Sequence, residues 1–315
     1  MPNAVASVEA IKRGLTRKFD ASYKSQPVFY PTLCTQVQSF GRDEKYGWLG
    51  ALPSMREWIG DRQFDDIRQT GFELENKTFE SSVMLDRFDI DDDRYGYFAN
   101  IVAEMAEEAK GHPDTYLFEE LINKAESLIC YDGQYFFDTD HSWGESGTQS
   151  NKLTYNMAGS EPTVLEFKAA FNQAVLAMMQ FKNDKGRFFM RPRANQLDNL
   201  MLCVPTALLP VANEAFNQQF MSDGTTTVSN VHIAKPIIQP INNMGAGAPN
   251  GSNVKFDVYN TAGRLKPYIY QDRSALKREI QGEDSIEFKD VKFMTQARYA
   301  MGPLMWSSAV RTEFN

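Results

Sequence analysis

The densest local combination of chemically capable side chains is Asp138–Thr139–Asp140–His141, two carboxylates and an imidazole within one short stretch. Carboxylate and imidazole together form the donor set of a metal-dependent hydrolase, in which a bound ion activates water. The remaining histidines are His112 and His232, and no two histidines stand at the spacing that places a ligand pair on one helix face. Turn formation accounts for the same aspartates, since short acidic side chains bond their own backbone. A second acidic group is Asp89, Asp91, Asp92 and Asp93. A calcium loop counted from Asp89 needs glycine where Arg94 stands and glutamate where Asn100 stands. Charge placed ahead of a helix start is the competing reading. The basic counterpart is Lys182, Lys185, Arg187, Arg191 and Arg193, interleaved with Phe188 and Phe189. Such a run serves either a single-stranded nucleic acid or a strand edge that meets another subunit. Neither a nucleophile elbow nor a glycine-rich phosphate loop occurs, and no cysteine has a histidine close in sequence. The residues offer catalysis no foothold and call for no cofactor.

The elements that would position these groups are bounded by size and charge. A chain of 315 residues with 33 basic and 41 acidic side chains carries a net charge of −8. Length suggests about two compact units with ample buried surface. The acidic balance argues against a dedicated nucleic-acid binder, whose affinity rests on cations at phosphates. Cys34, Cys130 and Cys203 are odd in number and far apart, so they read as buried thiols of a reducing compartment. The first residues lack the apolar core of a secretory signal. The longest apolar stretch, Leu200 to Ala212, is too short to span a bilayer and holds Pro205 and Pro210.

Residues 4–19 place Val5, Val8, Ile11, Leu15 and Phe19 on one helical stripe, fit for a membrane surface, a docking arm or the chain's own domain. Residues 56–94 hold 6 basic and 12 acidic side chains, most of the chain's net charge. Within them, Phe72–Leu74 and Phe79–Leu85 alternate with period two, which predicts a charged strand pair. So little apolar content makes that pair a projection in need of a partner surface. Tyr97, Phe98, Ile101, Val102, Met105 and Ala109 predict a helix that Lys110, Gly111 and Pro113 should stop. A second helix is expected over 114–129, loop over 130–160, and a third helix from Ser160–Glu161–Pro162. Asn199–Val204 reads as a buried strand, 206–219 as a short helix, 242–253 as a loop, and Val291–Tyr299 as a strand with one buried face. Helices and strands mix without βαβα regularity, which favours an α+β fold.

Several motifs in order carry a resemblance. Tyr46–Gly47–Trp48–Leu49–Gly50, Pro53 and Arg56–Glu57–Trp58–Ile59–Gly60–Asp61–Arg62 are followed by Asn76–Lys77–Thr78–Phe79–Glu80, Val83, Arg87 and Asp89–Ile90–Asp91–Asp92. Gly96, Tyr131–Asp132–Gly133–Gln134, Phe136–Phe137–Asp138 and His141 come next, then Val204–Pro205–Thr206 and Asp223–Gly224–Thr225–Thr226–Thr227–Val228–Ser229–Asn230. Together they resemble the phage Mu-type major head subunit family, densely over 44–141 and sparsely to 230. The resemblance implies a Hong Kong 97-type capsid fold with an N-terminal arm (1–35) and an extended β-hairpin loop (36–88). It implies a peripheral domain with a long spine helix (89–149 and 285–315) and an axial domain (150–284). It further implies a non-enzymatic major capsid protein of a tailed phage or prophage, made in the host cytoplasm and resident in the virion. Copies would form hexamers and pentamers of an icosahedral shell, with a separate scaffold protein and a portal, around double-stranded DNA that is not read by sequence. No membrane is implied. The charge polarity of the chain then suggests that the acidic loop of one copy lies on basic surface of the next, with Lys182–Arg193 and the N-terminal arm as candidates. Trp58 and Phe79 would be its apolar anchors, with Arg62, Lys77, Arg191 and Arg193 in the same contact. Some proteins of this fold join a loop lysine covalently to a neighbouring asparagine, and Lys77 would be that lysine here.

Overall fold

The computed structural model describes residues 8–46, 72–86, 95–190, 197, 199–218, 220–222, 227–230, 234–242, 244, 254–281 and 290–315. Two sheets organise them. The first has the order β1, β11, β12, β4, where β1 is Cys34–Gln38, β4 is Lys77–Asp86, β11 is Tyr268–Gln281 and β12 is Asp290–Pro303. β1 runs parallel to β11, and the other pairs are antiparallel. Val291, Phe293, Thr295 and Tyr299 are buried, as the alternation over 291–299 predicts. The second sheet has the order β5 (Lys152–Tyr155), β13 (Ala309–Phe314), β10 (Lys255–Asn260), β6 (Leu200–Pro205) and β9 (Ile237–Ile241). Every residue of β6 is buried, the expected fate of a continuous apolar run in a covered sheet. Two small antiparallel pairs complete the set: β2 (Asp43–Lys45) with β3 (Glu73–Glu75), and β7 (Phe220–Ser222) with β8 (Thr227–Ser229).

α1 (Val8–Ser25) buries Leu15 and Phe19 against Phe98, Val102 and Met105 of the long helix α3 (Tyr95–Tyr116) and against Val291 and Phe293 of β12. Those members of its apolar stripe are spent within the chain, not kept for a membrane. A one-turn α2 (Tyr30–Leu33) leads into β1. α3 corrects an expectation: it runs through Gly111 and Pro113 and continues as a wide π-helical turn over Leu117–Ile122. Tertiary contacts outweigh the proline. The carboxylate of Asp114 accepts the backbone N–H groups of Phe29 (2.8 Å) and Tyr30 (2.5 Å), and Leu117, Leu121 and Ile122 are buried beyond it. A π turn is a common way for a helix to absorb a disturbed register.

α4 (Val164–Gln180) starts at a capping box, with Thr163 Oγ1 accepting from Glu166 N–H and the Glu166 carboxylate accepting from Thr163 N–H. It buries Phe167, Phe171, Val175 and Met178, packing on β10 and β13, while α5 (Leu209–Asn217) packs on β6. The expected loop over 130–160 is mostly turns, yet it contains β5, whose four residues are too few to show a period. The loop expected over 242–253 lies outside the described residues except for positions 242 and 244.

The two strand segments read as a pair do not pair with each other. β3 joins β2, and β4 pairs with β12 along its whole length, from Lys77 opposite Tyr299 to Asp86 opposite Asp290. The corner between them is pinned by buried Asn76, whose Nδ2 donates to Ser39 Oγ (2.8 Å) and whose Oδ1 accepts from Gln271 Nε2 (2.8 Å). The other edge of β4 has no partner strand among the described residues.

Candidate functional site

The acidic cluster around His141 is a folding centre. His141 is fully buried with Nδ1 donating to Asp132 Oδ2 (2.6 Å) and Nε2 facing Asn151 Oδ1 (3.2 Å). Its ring lies flat on Trp306 at 4.1 Å. Asn151 cannot turn its amide round, because Oδ1 also accepts from Asp138 N–H and Nδ2 donates to the Phe136 carbonyl. Asp138 Oδ1 accepts from Thr139 N–H (2.8 Å), as a turn aspartate does, and Asp140 is exposed. Both ring nitrogens are therefore engaged, and among the described residues no three acidic, histidine or cysteine side chains gather as metal ligands. The hydrolase reading of Asp138, Asp140 and His141 is corrected accordingly. The acidic residues Asp89, Asp91, Asp92 and Asp93 lie outside the described residues.

Further along the same loop, Gln149 clamps the backbone of Lys182, accepting from its N–H (2.6 Å) and donating to its carbonyl (2.9 Å). This seats a tight basic hairpin over 182–188, where Lys182 bridges to Phe188 and Asn183 Oδ1 accepts from the N–H groups of Lys185 and Arg187. Phe188 is half-exposed, with Lys182 Nζ 5.9 Å from its ring centre, and Phe189 turns inward onto Trp306. Gly144 makes the close approach possible. Its φ is +60°, and a Cβ there would lie 2.5 Å from the Asp184 carbonyl oxygen. Gly144→Ala should cost more than the roughly 1–2 kcal/mol of a left-handed backbone alone. Gly133→Ala, with φ +86° and open space around it, should cost only that backbone part. Urea midpoints of the two variants check the difference.

A second centre ties α3 to the second sheet. Arg311 and Asp257 are fully buried and joined by two hydrogen bonds of 2.7 Å. The guanidinium also donates to Glu126 (2.8 Å) and to the Ile122 carbonyl (2.9 Å) at the end of the π turn, and it covers the Phe137 ring at 4.3 Å. Glu126 further accepts from Lys152 (2.9 Å) and Lys255 (2.6 Å). Burial alone would raise the Glu126 carboxyl, but hydrogen bonds from Lys255, Lys152 and Arg311 outweigh it and hold the value down to about 2, against an ordinary 4.5. A depressed acid contributes stability above its unfolded value and loses it as pH falls through the folded one. Below about pH 4.5 the wild-type chain should therefore lose stability more steeply than Glu126→Gln, as thermal melts at stepped pH would record. No local spacing announces this network, since its members lie on five separated segments.

Of the remaining sequence-predicted residues, Trp58, Arg62, Arg191 and Arg193 lie outside the described residues. Phe79 is partly buried in its own chain, stacked on Tyr299 at 4.5 Å and close to His112 and Tyr116. Lys77 Nζ donates to Tyr116 Oη (3.0 Å), which raises its pKa and favours the protonated amine over a nucleophile. Cys34, Cys130 and Cys203 are free and buried, and burial pushes all three thiols up, away from reactivity.

Among the described residues no helix is long and apolar enough to cross a membrane. Comparison with known proteins adds what geometry alone does not. Residues 8–168 match the family model described as Mu-like prophage major head subunit gpT. The chain is similar to the major capsid protein of Escherichia phage Mu, 36% identical over 136 residues, which cover 43% of this chain and 44% of that one. It is also similar to the Mu-like prophage FluMu major head subunit of Haemophilus influenzae, 34% identical over 51% of this chain and 53% of that one. The matched region thus spans about half the length of these curated relatives. Among solved structures, the procapsid of bacteriophage JBD30 superimposes with a TM-score of 0.57 at 22% identity, covering 97% of this chain and 74% of that chain.

Proposed function

The chain belongs to the Mu-like prophage major head subunit family, and from that premise we propose that it is the major capsid protein of a Mu-like tailed phage or prophage. Its fold is the Hong Kong 97-type capsid fold, α+β, with α3 as the spine. In this reading its copies associate into hexamers and pentamers of an icosahedral shell that encloses double-stranded DNA, with a separate scaffold protein and a portal. It performs no catalysis, is made in the host cytoplasm and resides in the virion. The observation that carries the reading is the family match over 8–168, a span that takes in α1, β4, α3 and the His141 turn.

Physical features support it. Among the described residues β4 is a ten-residue edge strand with one partner strand, the kind of edge that proteins ordinarily blunt or cover. Heterologous contacts between copies close into rings, and a subunit held by many neighbours is bound far more tightly than any single pair. A net charge of −8 suits a container whose DNA must move in and out, because a strongly basic lining would hold phosphates by counterion release. We assign 1–35 to an arm, 36–88 to the extended loop, 89–149 and 285–315 to the peripheral part and 150–284 to the axial part.

Electron microscopy of the purified chain, co-expressed with a scaffold, tests the reading. Uniform particles, rings or tubes are expected; a strictly monomeric chain at every concentration overturns it. The contact between copies is proposed to bring the acidic loop, with Trp58 and Arg62, onto the basic run that ends at Arg191 and Arg193. Reversing both Arg191 and Arg193 to glutamate should cut particle yield at least tenfold, of order 1.4 kcal/mol per tenfold step, while far-UV circular dichroism stays that of the wild type. Normal particle yield would refute the pairing.

A further inference from the structure

A cleft of about 250 Å³ opens where α1, α3, β1 and the middle of β11 and β12 meet. Tyr23, Tyr30, Tyr270 and Tyr299 line it, together with Lys110 and Asp272. Tyr30 lies against Tyr270 at 4.6 Å and Tyr270 against Tyr299 at 5.1 Å, so three rings form a continuous aromatic wall. Asp272 Oδ1 is shielded from solvent and has no hydrogen-bond partner among the described residues. Desolvation raises the pKa of this carboxyl, as it must for an acid whose charge is not compensated. The backbone is irregular at this point: the register of β11 on β12 shifts between Asp272 and Ser274 and again before Lys277. Bulges of this kind re-aim side chains and recur beside binding sites.

An uncompensated carboxylate beside tyrosine faces is the chemistry that receives a cation. Ring faces attract positive charge, and the carboxylate on the cleft wall supplies an acceptor for its N–H groups. A guanidinium fits better than an ammonium, because it stacks on rings and forks onto a carboxylate. Among the described residues no cation of the chain bonds Asp272 Oδ1. Lys110 Nζ sits over the Tyr23 ring at 4.8 Å, Arg278 pairs with Asp20, and Lys266 donates to the Pro31 carbonyl. We propose that the Asp272 cleft is the receptor for an arginine side chain of a second copy of this chain. This rests on the capsid reading above, under which every subunit is surrounded by copies that each carry 33 basic side chains. It adds a second, aromatic-lined contact, separate from the acidic loop and placed where the arm helix joins the sheet.

Two measurements test it. Asp272→Asn keeps shape and removes charge, so the variant should fold with an unchanged urea midpoint while sedimentable particle yield falls at least about tenfold, the scale of truncating one partner of a buried charge pair. In a high-resolution reconstruction of wild-type particles, a guanidinium from a neighbouring copy should lie within hydrogen-bonding distance of the Asp272 carboxylate. An Asp272→Asn yield equal to wild type, or a cleft filled in the particle by Lys110 or by a scaffold residue, overturns the assignment. Should the wild-type chain form no particles, the capsid reading fails; should it form them while Asp272 stands unengaged, only the cleft assignment fails.

Discussion

Replacing Arg311 with methionine is expected to lower the unfolding free energy of the subunit by about 3–5 kcal/mol, the usual loss when one partner of a buried ion pair is removed. The reason lies in what remains. Asp257 would be left at 0% exposure with both of its hydrogen bonds from Arg311 gone. The Ile122 carbonyl, at the end of the π turn, would also lose its donor. Arg311→Lys should recover little, because a single ammonium cannot reproduce two parallel bonds to Asp257 and a third to Ile122. Adding Asp257→Leu to Arg311→Met should return most of the loss, since two apolar groups in a dry site cost far less than one orphaned charge. Urea denaturation of unassembled subunits measures all four chains. A double variant no more stable than Arg311→Met would mean that packing around the guanidinium, not its charge, holds this joint.

The second large effect is expected at Phe293. This side chain is fully buried in a small cluster whose buried members, among the described residues, come from α1, β4, α3 and β12, with Leu276 and Ile280 of β11 packed against it; its ring is 5.3 Å from that of Phe19. Phe293→Ala should cost about 3–5 kcal/mol as transfer and cavity terms combine. Because the cluster is separate from the main core, the damage should be local: amide exchange across 8–25 should accelerate markedly while the second sheet keeps its protection. Leu202→Ala, in the middle of the second sheet, should show the reverse pattern. Uniform acceleration in both variants would show that the two clusters unfold as one unit. The consequence for assembly follows directly, as a loosened α1 no longer walls the Asp272 cleft through Tyr23.

Much of this molecule was legible before any coordinates. The stripe of α1, the apolar start of α3, the fully buried β6 and the alternation of β12 are local signals, set by side-chain periods of 3.6 and 2 that need no knowledge of distant residues. The absence of nucleophile, phosphate-loop and paired-histidine motifs was equally readable, and the order of short motifs over 44–141 led to the family that the comparisons then returned. Family membership and fold class were thus contained in the chain's own letters. Three things were not. Pro113 failed to end α3, because Asp114 and the buried side chains after it supply contacts worth more than one missing hydrogen bond. β3 and β4, adjacent in sequence, separated into different sheets, because Asn76 finds its partners at Ser39 and Gln271, far along the chain. His141 changed from a candidate metal ligand into a packed ring, because Asp132, Asn151 and Trp306 converge on it from three segments. Local sequence sets propensity and period. Only the folded chain decides which polar group meets which, since a buried charge or donor is stable solely where a partner from elsewhere arrives within hydrogen-bonding reach.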